Sequence, residues 1–306
     1  MRPLRLATRS SALAMWQARH VSDRLVAAGH PPCELVQVST LGDRDKTQTL
    51  KSLGGTGEAG QGVFTKEVQR AVLDDAADFA VHSLKDLPTD PTPGLTLAAV
   101  PERGPVADVL VLPPGQTLAS VADLPHAARV GTGSPRRQAQ LKFLRSDLRT
   151  AEIRGNVETR LAKLDAGDYD AIVLAEAGLV RLGLADRITC RLTPPDVWPA
   201  VSQAALGIEC RTGDADCRAA LATITHAATH AAVTAERTLL NTLRAGCGAA
   251  VGVRTRVGRR LHLEAVVLDL AGQHRLIAAA SGPDPAALGQ TVAQRLLTAG
   301  AANLIT

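Results

Sequence analysis

Apolar and polar positions alternate between two periods along most of the chain. "LRLAT" (4–8) predicts a strand, and Ala14, Ala18, Val21 and Leu25 then recur at helical spacing, which predicts a helix from about Ser11 to Ala28. "GHPP" ends that helix, and "ELVQVST" (34–40) predicts a second strand. The glycine-rich stretch 41–62 has no period and is expected to be a mobile loop. A helix is expected over 63–74 and a strand at "DFAVHS" (78–83). From Val106 the series resumes with the strand "VADVLVLP". Three strand–turn–helix passages follow, in "ARVGTGSPRRQAQLKFLR", "AEIRGNVETRLAKLDAG" and "YDAIVLAEAGLVRLG", the second with a buried stripe of Val157, Leu161 and Leu164. "LGIECR" (206–211) predicts one more strand, with a helix from about Asp214. Strands alternating with helices imply parallel βαβ units and an α/β domain in each half.

The pattern changes after about residue 226. A helix over 229–243 leads to Cys247, then to the antiparallel-looking strands "VGVRTRVG", "RLHLEAVVLDL" and "QHRLIAAASG", with "LAGQ" as a turn. A last helix carries Leu288, Val292 and Leu296 on one side. This is an α+β module. No repeat of short period is present, and the two α/β halves are candidates for structural relatives.

Composition narrows the function classes. A chain of 306 residues can build two or three domains, and 45% hydrophobic with 21% charged residues is ordinary for a soluble protein. No apolar run reaches the roughly 18 residues of a membrane span. Thr8, Arg9, Ser10 and Ser11 interrupt any signal-peptide apolar segment, so a cytoplasmic, reducing setting is expected. Five cysteines, an odd number without framework spacing, fit free thiols there. The net charge of +4 is too small to argue for nucleic acid, and 2% aromatics leave few stacking platforms. Of 34 basic residues 28 are Arg, the better clamp for carboxylate and phosphate. The richness in Ala, Leu and Gly points to codon bias as one source of that count, so position has to decide.

Three junctions share one design. Arg9 and Ser11 stand at the start of the first helix. Thr132, Ser134, Arg136 and Arg137 stand at another, with Pro135 suited to its first position, and Arg154, Asn156 as cap, and Arg160 stand at a third. Helix N-termini with added arginines make anion pockets, and such turns gather at the carboxyl edge of an open α/β sheet. Plain capping with arginines in solvent is the bland alternative for any one junction; three alike favour a ligand with several carboxylates or phosphates. "FAVHSLKDLPT" (79–89) runs off a strand end with His82, Ser83, Lys85 and Asp86, where a carboxylate can serve as acid, base or cation stabiliser. A solvated turn is the alternative.

"LRAGCGAAVG" (243–252) sets Cys247 among residues too small to bury it well. Arg244 nearby favours the thiolate and the glycines leave the sulfur accessible. No histidine offers a recognisable base spacing for a thiol hydrolase. Cys210, Cys217, His226 and His230 are too widely spaced for a usual zinc site, and no metal is expected. Covalent attachment is the best use of Cys247.

"ATRSSALA", "GVFTKE", "AVHSLKDLP", "GTGSPRRQ", "IRGNVETRL", "YDAIVLAEAGLVRLG", "GIECR" and "AERTLLNTLRAGC", in that order from about residue 4 to 300, resemble the porphobilinogen deaminase (hydroxymethylbilane synthase) family. The resemblance implies a monomer with two α/β domains like periplasmic binding proteins and a small C-terminal α+β domain carrying the cysteine. Domain 1 would take residues 1–101 and 203–222, domain 2 residues 106–198, and domain 3 residues 226–306. It implies an enzyme that joins four porphobilinogen molecules head to tail with loss of ammonia, on a dipyrromethane primer bound through a thioether to Cys247. The product would be hydroxymethylbilane, for haem and related tetrapyrroles. Neither nucleic acid nor membrane is an implied partner.

Each pyrrole carries an acetate and a propionate, which suits Arg9, Arg136, Arg137, Arg154 and Arg160, with Ser11, Thr132, Ser134 and Asn156 beside them. Asp86 matches the family's catalytic carboxylate, which stabilises the cation left by loss of ammonia. Ser83, Lys85 and Gln17 match positions that contact primer or substrate, and Phe64 belongs to the lid. Several positions depart from the family pattern. Gly133 replaces a hydroxyl residue, Ala245 a frequent glycine, and Gln61 a frequent lysine. "SQA" (202–204) replaces "GQG", which reduces backbone freedom, and the glycine loop before Phe64 is longer. Two rival classes use part of this set. An anion-binding sensor or carrier would need the arginines but neither Cys247 nor Asp86, and an acyl-enzyme thiol transferase would carry no bound pigment.

Overall fold

The computed structural model describes residues 2–39, 65–246 and 248–305. The chain folds as two compact units, one of residues 1–104 and 204–230, the other of 105–203 and 231–306.

The first unit is built on β1 (Arg5–Arg9), β2 (Glu34–Val38), β3 (Phe79–Ser83), β4 (Leu95–Ala99) and β10 (Leu206–Arg211), in the order β2-β1-β3-β10-β4. β1 runs parallel to β2 and β3, whereas β10 is antiparallel to both β3 and β4. Successive residues of β1 serve opposite faces. Leu6 joins Val21, Leu25, Phe79 and Ile208 on one side, and Ala7 joins Val68, Val72 and Ala80 on the other. Both faces are therefore covered, by α1 (Ala12–Ala27) and α2 (Lys66–Leu73) among others. Ser11 caps α1 by accepting from the Ala14 N–H, and the helix buries Ala18, Val21 and Leu25.

The second unit repeats the strand order. β5 (Asp108–Val111), β6 (Arg129–Gly131), β7 (Arg149–Ala151), β8 (Ala171–Ala175) and β9 (Cys190–Leu192) lie as β7-β6-β8-β5-β9. β6 is parallel to β7 and β8, and β5 is antiparallel to β8 and β9. The helices α3 (Pro135–Leu144), α4 (Val157–Asp165) and α5 (Glu176–Arg181) follow β6, β7 and β8. In α4 Leu161 and Leu164 are buried and Val157 is half-buried.

The remainder of this unit is the antiparallel sheet β11 (Ala250–Val257), β12 (Leu261–Leu268) and β13 (Arg275–Gly282). α6 (Ala215–Ala222) belongs to the first unit; the helices here are α7 (Ala227–Thr242), from Ala231 onward, and α8 (Pro285–Thr298). Leu239, Leu263, Leu288, Val292 and Leu296 form the core between them and the sheet. Val266 and Leu268 instead meet Trp198 and Ala139. β11 passes so close to Trp198 that a Cβ on Gly252 would lie 2.5 Å from the tryptophan Cβ.

Two sheets of one strand order beside a small antiparallel module make the chain α/β with an α+β C-terminal part. The expected parallel βαβ pairings hold for β1 with β2 and β3 and for β6 with β7 and β8, whereas β10 and β5 enter antiparallel. A strand buried on both faces shows the same apolar run whichever way it points. The pattern does not predict the edge strands β4 and β9, because the proline-rich turns beside them read as loop.

Candidate active site

In the first unit β1 and β3 are parallel neighbours, so their carboxyl ends reach the same edge of the sheet. Arg9 closes β1 and Ser11 caps α1. Ser83 closes β3, and Leu84–Asp86 form a single 3₁₀ turn. Gln17, buried on α1, donates from Nε2 to Ser83 Oγ at 2.9 Å and so ties helix to turn. Leu84 is fully buried, and its N–H donates to the Ala205 carbonyl at 3.0 Å. A Cβ on Gly207 of β10 would lie 2.6 Å from Leu84 Cδ1, so glycine lets the turn seat deeply. With Leu84 as anchor, Lys85 and Asp86 stand exposed. Arg9, Ser11, Gln17, Ser83, Lys85 and Asp86 thus share one edge.

His82, next to Ser83, faces the interior instead. Its Nε2 lies 3.2 Å from Glu209 Oε2, which accepts from Gln69 Nε2 at 2.8 Å, and all three side chains are buried. His82 was legible as a strand-end residue; its partners, on β10 and α2, were not.

In the second unit the turn after β6 runs Thr132–Gly133–Ser134 into α3, with Pro135 in the first turn. Thr132 is fully buried and its Oγ1 accepts from the Ser134 N–H at 3.2 Å. Ser134 occupies the cap position without a side-chain capping bond. A Cβ at Gly133 would meet only the Ile153 carbonyl oxygen at 3.4 Å and Glu152 Cγ at 3.8 Å, so a side chain fits there. Asn156 caps α4 as expected, accepting from the Thr159 N–H at 2.8 Å. Arg154 Nε donates to Glu152 at 2.7 Å and Arg160 Nε to the Gly155 carbonyl at 2.9 Å.

Arg136 and Arg137 point inward rather than into solvent, at 5% and 6% exposure. Both meet Asp108 of β5, which is fully buried. Arg137 donates from Nε at 3.0 Å and Nη2 at 2.6 Å to Asp108 Oδ1, and from Nη1 to the Val173 carbonyl at 2.9 Å. Arg136 Nη1 lies 2.7 Å from Oδ2, an ion pair without full hydrogen-bond alignment, and also donates to the Trp198 carbonyl. Gln203 Nε2 adds a third donor to Oδ1 at 3.0 Å. Burial alone would push the Asp108 carboxyl up, but the two guanidiniums outweigh it and hold it well below the usual range. Two cations share one anion, so the cluster holds one positive charge in excess.

Asp108 was missed. The only signal was a lone acid in the apolar run "VADVLVLP". The "SQA" departure has a visible consequence. Ser202 and Ala204 take φ of 59° and 67°, where glycine is the ordinary occupant.

Cys247 and Phe64 lie outside the described residues. The chain reaches the cysteine from α7 and leaves it into β11. Ala245 is buried, Gly246 and Gly248 are exposed, and a Cβ on Gly248 would enter open space. Among the described residues no helix is long and apolar enough to cross a membrane, and no group of three or more His, Cys, Asp or Glu side chains is placed to hold a metal ion.

Residues 4–219 match the family model "Porphobilinogen deaminase, dipyromethane cofactor binding domain", and residues 230–298 match "Porphobilinogen deaminase, C-terminal domain". The chain belongs to the porphobilinogen deaminase family. It is 47% identical over 310 residues to the porphobilinogen deaminase of Stenotrophomonas maltophilia strain K279a, covering 100% of this chain and 99% of that protein. To the enzyme of Xanthomonas axonopodis pv. citri it is 46% identical over 311 residues, with the same coverage. Among solved structures, the periplasmic VFT2 domain of Bordetella pertussis BvgS aligns with a TM-score of 0.44 at 14% identity, covering 77% of this chain and 92% of that one. As a porphobilinogen deaminase the chain is a transferase of tetrapyrrole biosynthesis that acts on porphobilinogen and uses a dipyrromethane cofactor. The donor set fits such a group. Pyrrole acetates and propionates are anions, and the cluster around Asp108 holds a buried positive charge that only an anion would balance.

Proposed function

We propose that the chain joins four porphobilinogen molecules head to tail, releasing ammonia at each step, on a dipyrromethane held through a thioether to Cys247, and frees hydroxymethylbilane by hydrolysis. The observation that carries this reading is the Gln17–Ser83 hydrogen bond, which joins the Arg9–Ser11 helix start and the Ser83–Lys85–Asp86 turn at one sheet edge. The dipyrromethane supplies, when bound, a pyrrole α-carbon as the nucleophile. Asp86, on an exposed turn anchored through Leu84, accepts pyrrole N–H bonds and stabilises the positive charge that develops as ammonia leaves. Ser83, Lys85 and Gln17 orient the reacting rings. Arg9, Arg136, Arg137, Arg154 and Arg160 hold acetates and propionates, with Ser11, Thr132, Ser134 and Asn156 as further polar contacts. Phe64 serves in the lid.

The division into residues 1–101 with 203–222, 106–198, and 226–306 is supported by the grouping of strands into three sheets. We further infer a cytoplasmic monomer that binds neither nucleic acid nor membrane. Support comes from the scarcity of aromatics and from Cys33, Cys190, Cys210 and Cys217, all free thiols.

The test is the intact mass of denatured wild type beside Cys247→Ser, before and after incubation with porphobilinogen. An added mass of two linked pyrrole units in the wild type alone is expected. An unmodified wild-type chain after incubation would overturn the attachment. Asp86→Asn should keep that mass and lose elongation; near-normal turnover would remove its role.

A further inference from the structure

Asp108 has no part in the family motifs from which the site was assembled, yet it is the point on which two of the ligand-directed arginines converge. Its carboxylate receives Arg137 Nε and Nη2 and Gln203 Nε2 on Oδ1, and Arg136 Nη1 at 2.7 Å on Oδ2. The arginines are braced from other directions as well, Arg137 by the Val173 carbonyl and Arg136 by that of Trp198. Gln140 fixes Trp198 in turn, accepting from its N–H at 2.7 Å and donating to its carbonyl at 3.2 Å. Each guanidinium is therefore set in place before any ligand arrives.

The charge is as telling as the geometry. A buried ion pair in balance needs one carboxylate per guanidinium, and here one serves two. A second acid at this point would complete the balance and leave nothing for a ligand. With no acid the two guanidiniums would repel and splay apart. One carboxylate holds them together and leaves a single positive charge to be met.

We propose that Asp108 is a positioning residue that presets Arg136 and Arg137 for one carboxylate of a pyrrole ligand. This rests on the reading of those arginines as ligand-binding residues. Asp108 itself repels an anion, so its contribution is to where the guanidiniums stand and to how many charges remain.

The full-length holoenzyme carries the test, as wild type, Asp108→Asn, Asp108→Glu, Arg136→Gln and Arg137→Gln. Three quantities are measured: the urea midpoint, KM and kcat for porphobilinogen, and the rise in melting temperature given by citrate, a polycarboxylate probe. Asp108→Asn and Asp108→Glu should raise KM about tenfold with kcat changed far less, and should shrink the citrate effect. Asp108→Glu keeps the charge and moves it by one methylene, so its KM separates position from charge. A lowered urea midpoint with KM and citrate effect unchanged would mean that Asp108 is a structural counter-ion only, and would overturn the proposal. If Arg136→Gln and Arg137→Gln also leave KM and citrate effect untouched, the ligand-binding reading itself fails. If they alter both while the Asp108 variants alter neither, only positioning fails. Should the Asp108 variants not fold, Gln203→Met removes one donor from Oδ1 with every charge kept. A KM rise of about threefold is then expected, and an unchanged KM overturns the proposal.

Discussion

Asp78 shows how one buried carboxylate can organise a sheet margin. It is fully buried and accepts from Arg2 Nη1 and Nη2 at 2.7 and 2.8 Å, from the Arg5 N–H at 2.7 Å and from Arg5 Nη2 at 2.9 Å. Burial raises its pKa, but the hydrogen bonds from Arg2 and Arg5 outweigh that and hold it well below the ordinary value. A depressed folded-state pKa contributes stability that is full above the unfolded value of about 3.9 and is lost as pH falls through the folded one. Asp78→Asn should therefore cost about 3 kcal/mol near neutral pH, and the gap from wild type should close below about pH 4. Urea midpoints across that range check it; a gap independent of pH would show that the charge is immaterial. A second residue-scale prediction concerns Ala204, whose φ of 67° suits glycine. Ala204→Gly relieves a left-handed strain of about 1–2 kcal/mol, offset by an unfolded-state entropy cost of about 0.5–1, so a net rise of up to about 1.5 kcal/mol in unfolding free energy is expected. At this scale the local placement of several candidate residues was legible. Strand-end residues such as Ser83 and Asp86, and caps such as Ser11 and Asn156, follow from local pattern. Asp108 was not, because an acid in an apolar strand announces a buried partner without saying which of many arginines it meets.

Among the elements, the amphipathic ones were legible from their period, and the strands β3, β5, β8 and β10, buried on both faces, from short apolar runs. α8 buries Leu288, Val292 and Leu296 as its stripe requires, and β11–β13 form the antiparallel sheet that their alternation implies. Strand direction was not legible, because β10 is buried nearly throughout and carries no alternation to orient it. The approach of β11 to Trp198 is a contact that only the folded chain reveals, and it depends on Gly252. Gly252→Ala would set a Cβ 2.5 Å from Trp198 Cβ and 3.1 Å from its carbonyl oxygen, neither of which is a flexible side-chain end. An overpacking cost of about 1–3 kcal/mol is expected, read as a lower urea midpoint. β11 begins shortly after Cys247, so on the attachment proposed above the same variant should carry less pyrrole by intact mass. Full loading with unchanged stability would show that β11 shifts without consequence.

On the scale of the whole molecule, the chain passes from one unit to the other and back. β10 lies between β3 and β4, so without residues 206–211 the edge strand β4 has no partner in the first sheet and β3 has an open edge. A fragment of residues 1–203 should fail to give a cooperative unfolding transition for the first unit, although it contains β1 to β4. Adding a separate peptide of residues 204–230 should restore part of that cooperativity. A sharp transition from the fragment alone would mean that β3 and β4 close on each other without β10.

The position of β10 also bears on the order in which the protein takes shape as it is made. Strands β5 to β9 of the second sheet all lie within residues 108–192, whereas the first sheet waits for Arg211. A growing chain therefore has every strand of its second sheet in hand before the first can close, the reverse of the usual N-terminal-first sequence. Until then β3, with Phe79, Ala80 and Val81, has an uncovered edge, and during synthesis that edge is the one open to pairing with another chain.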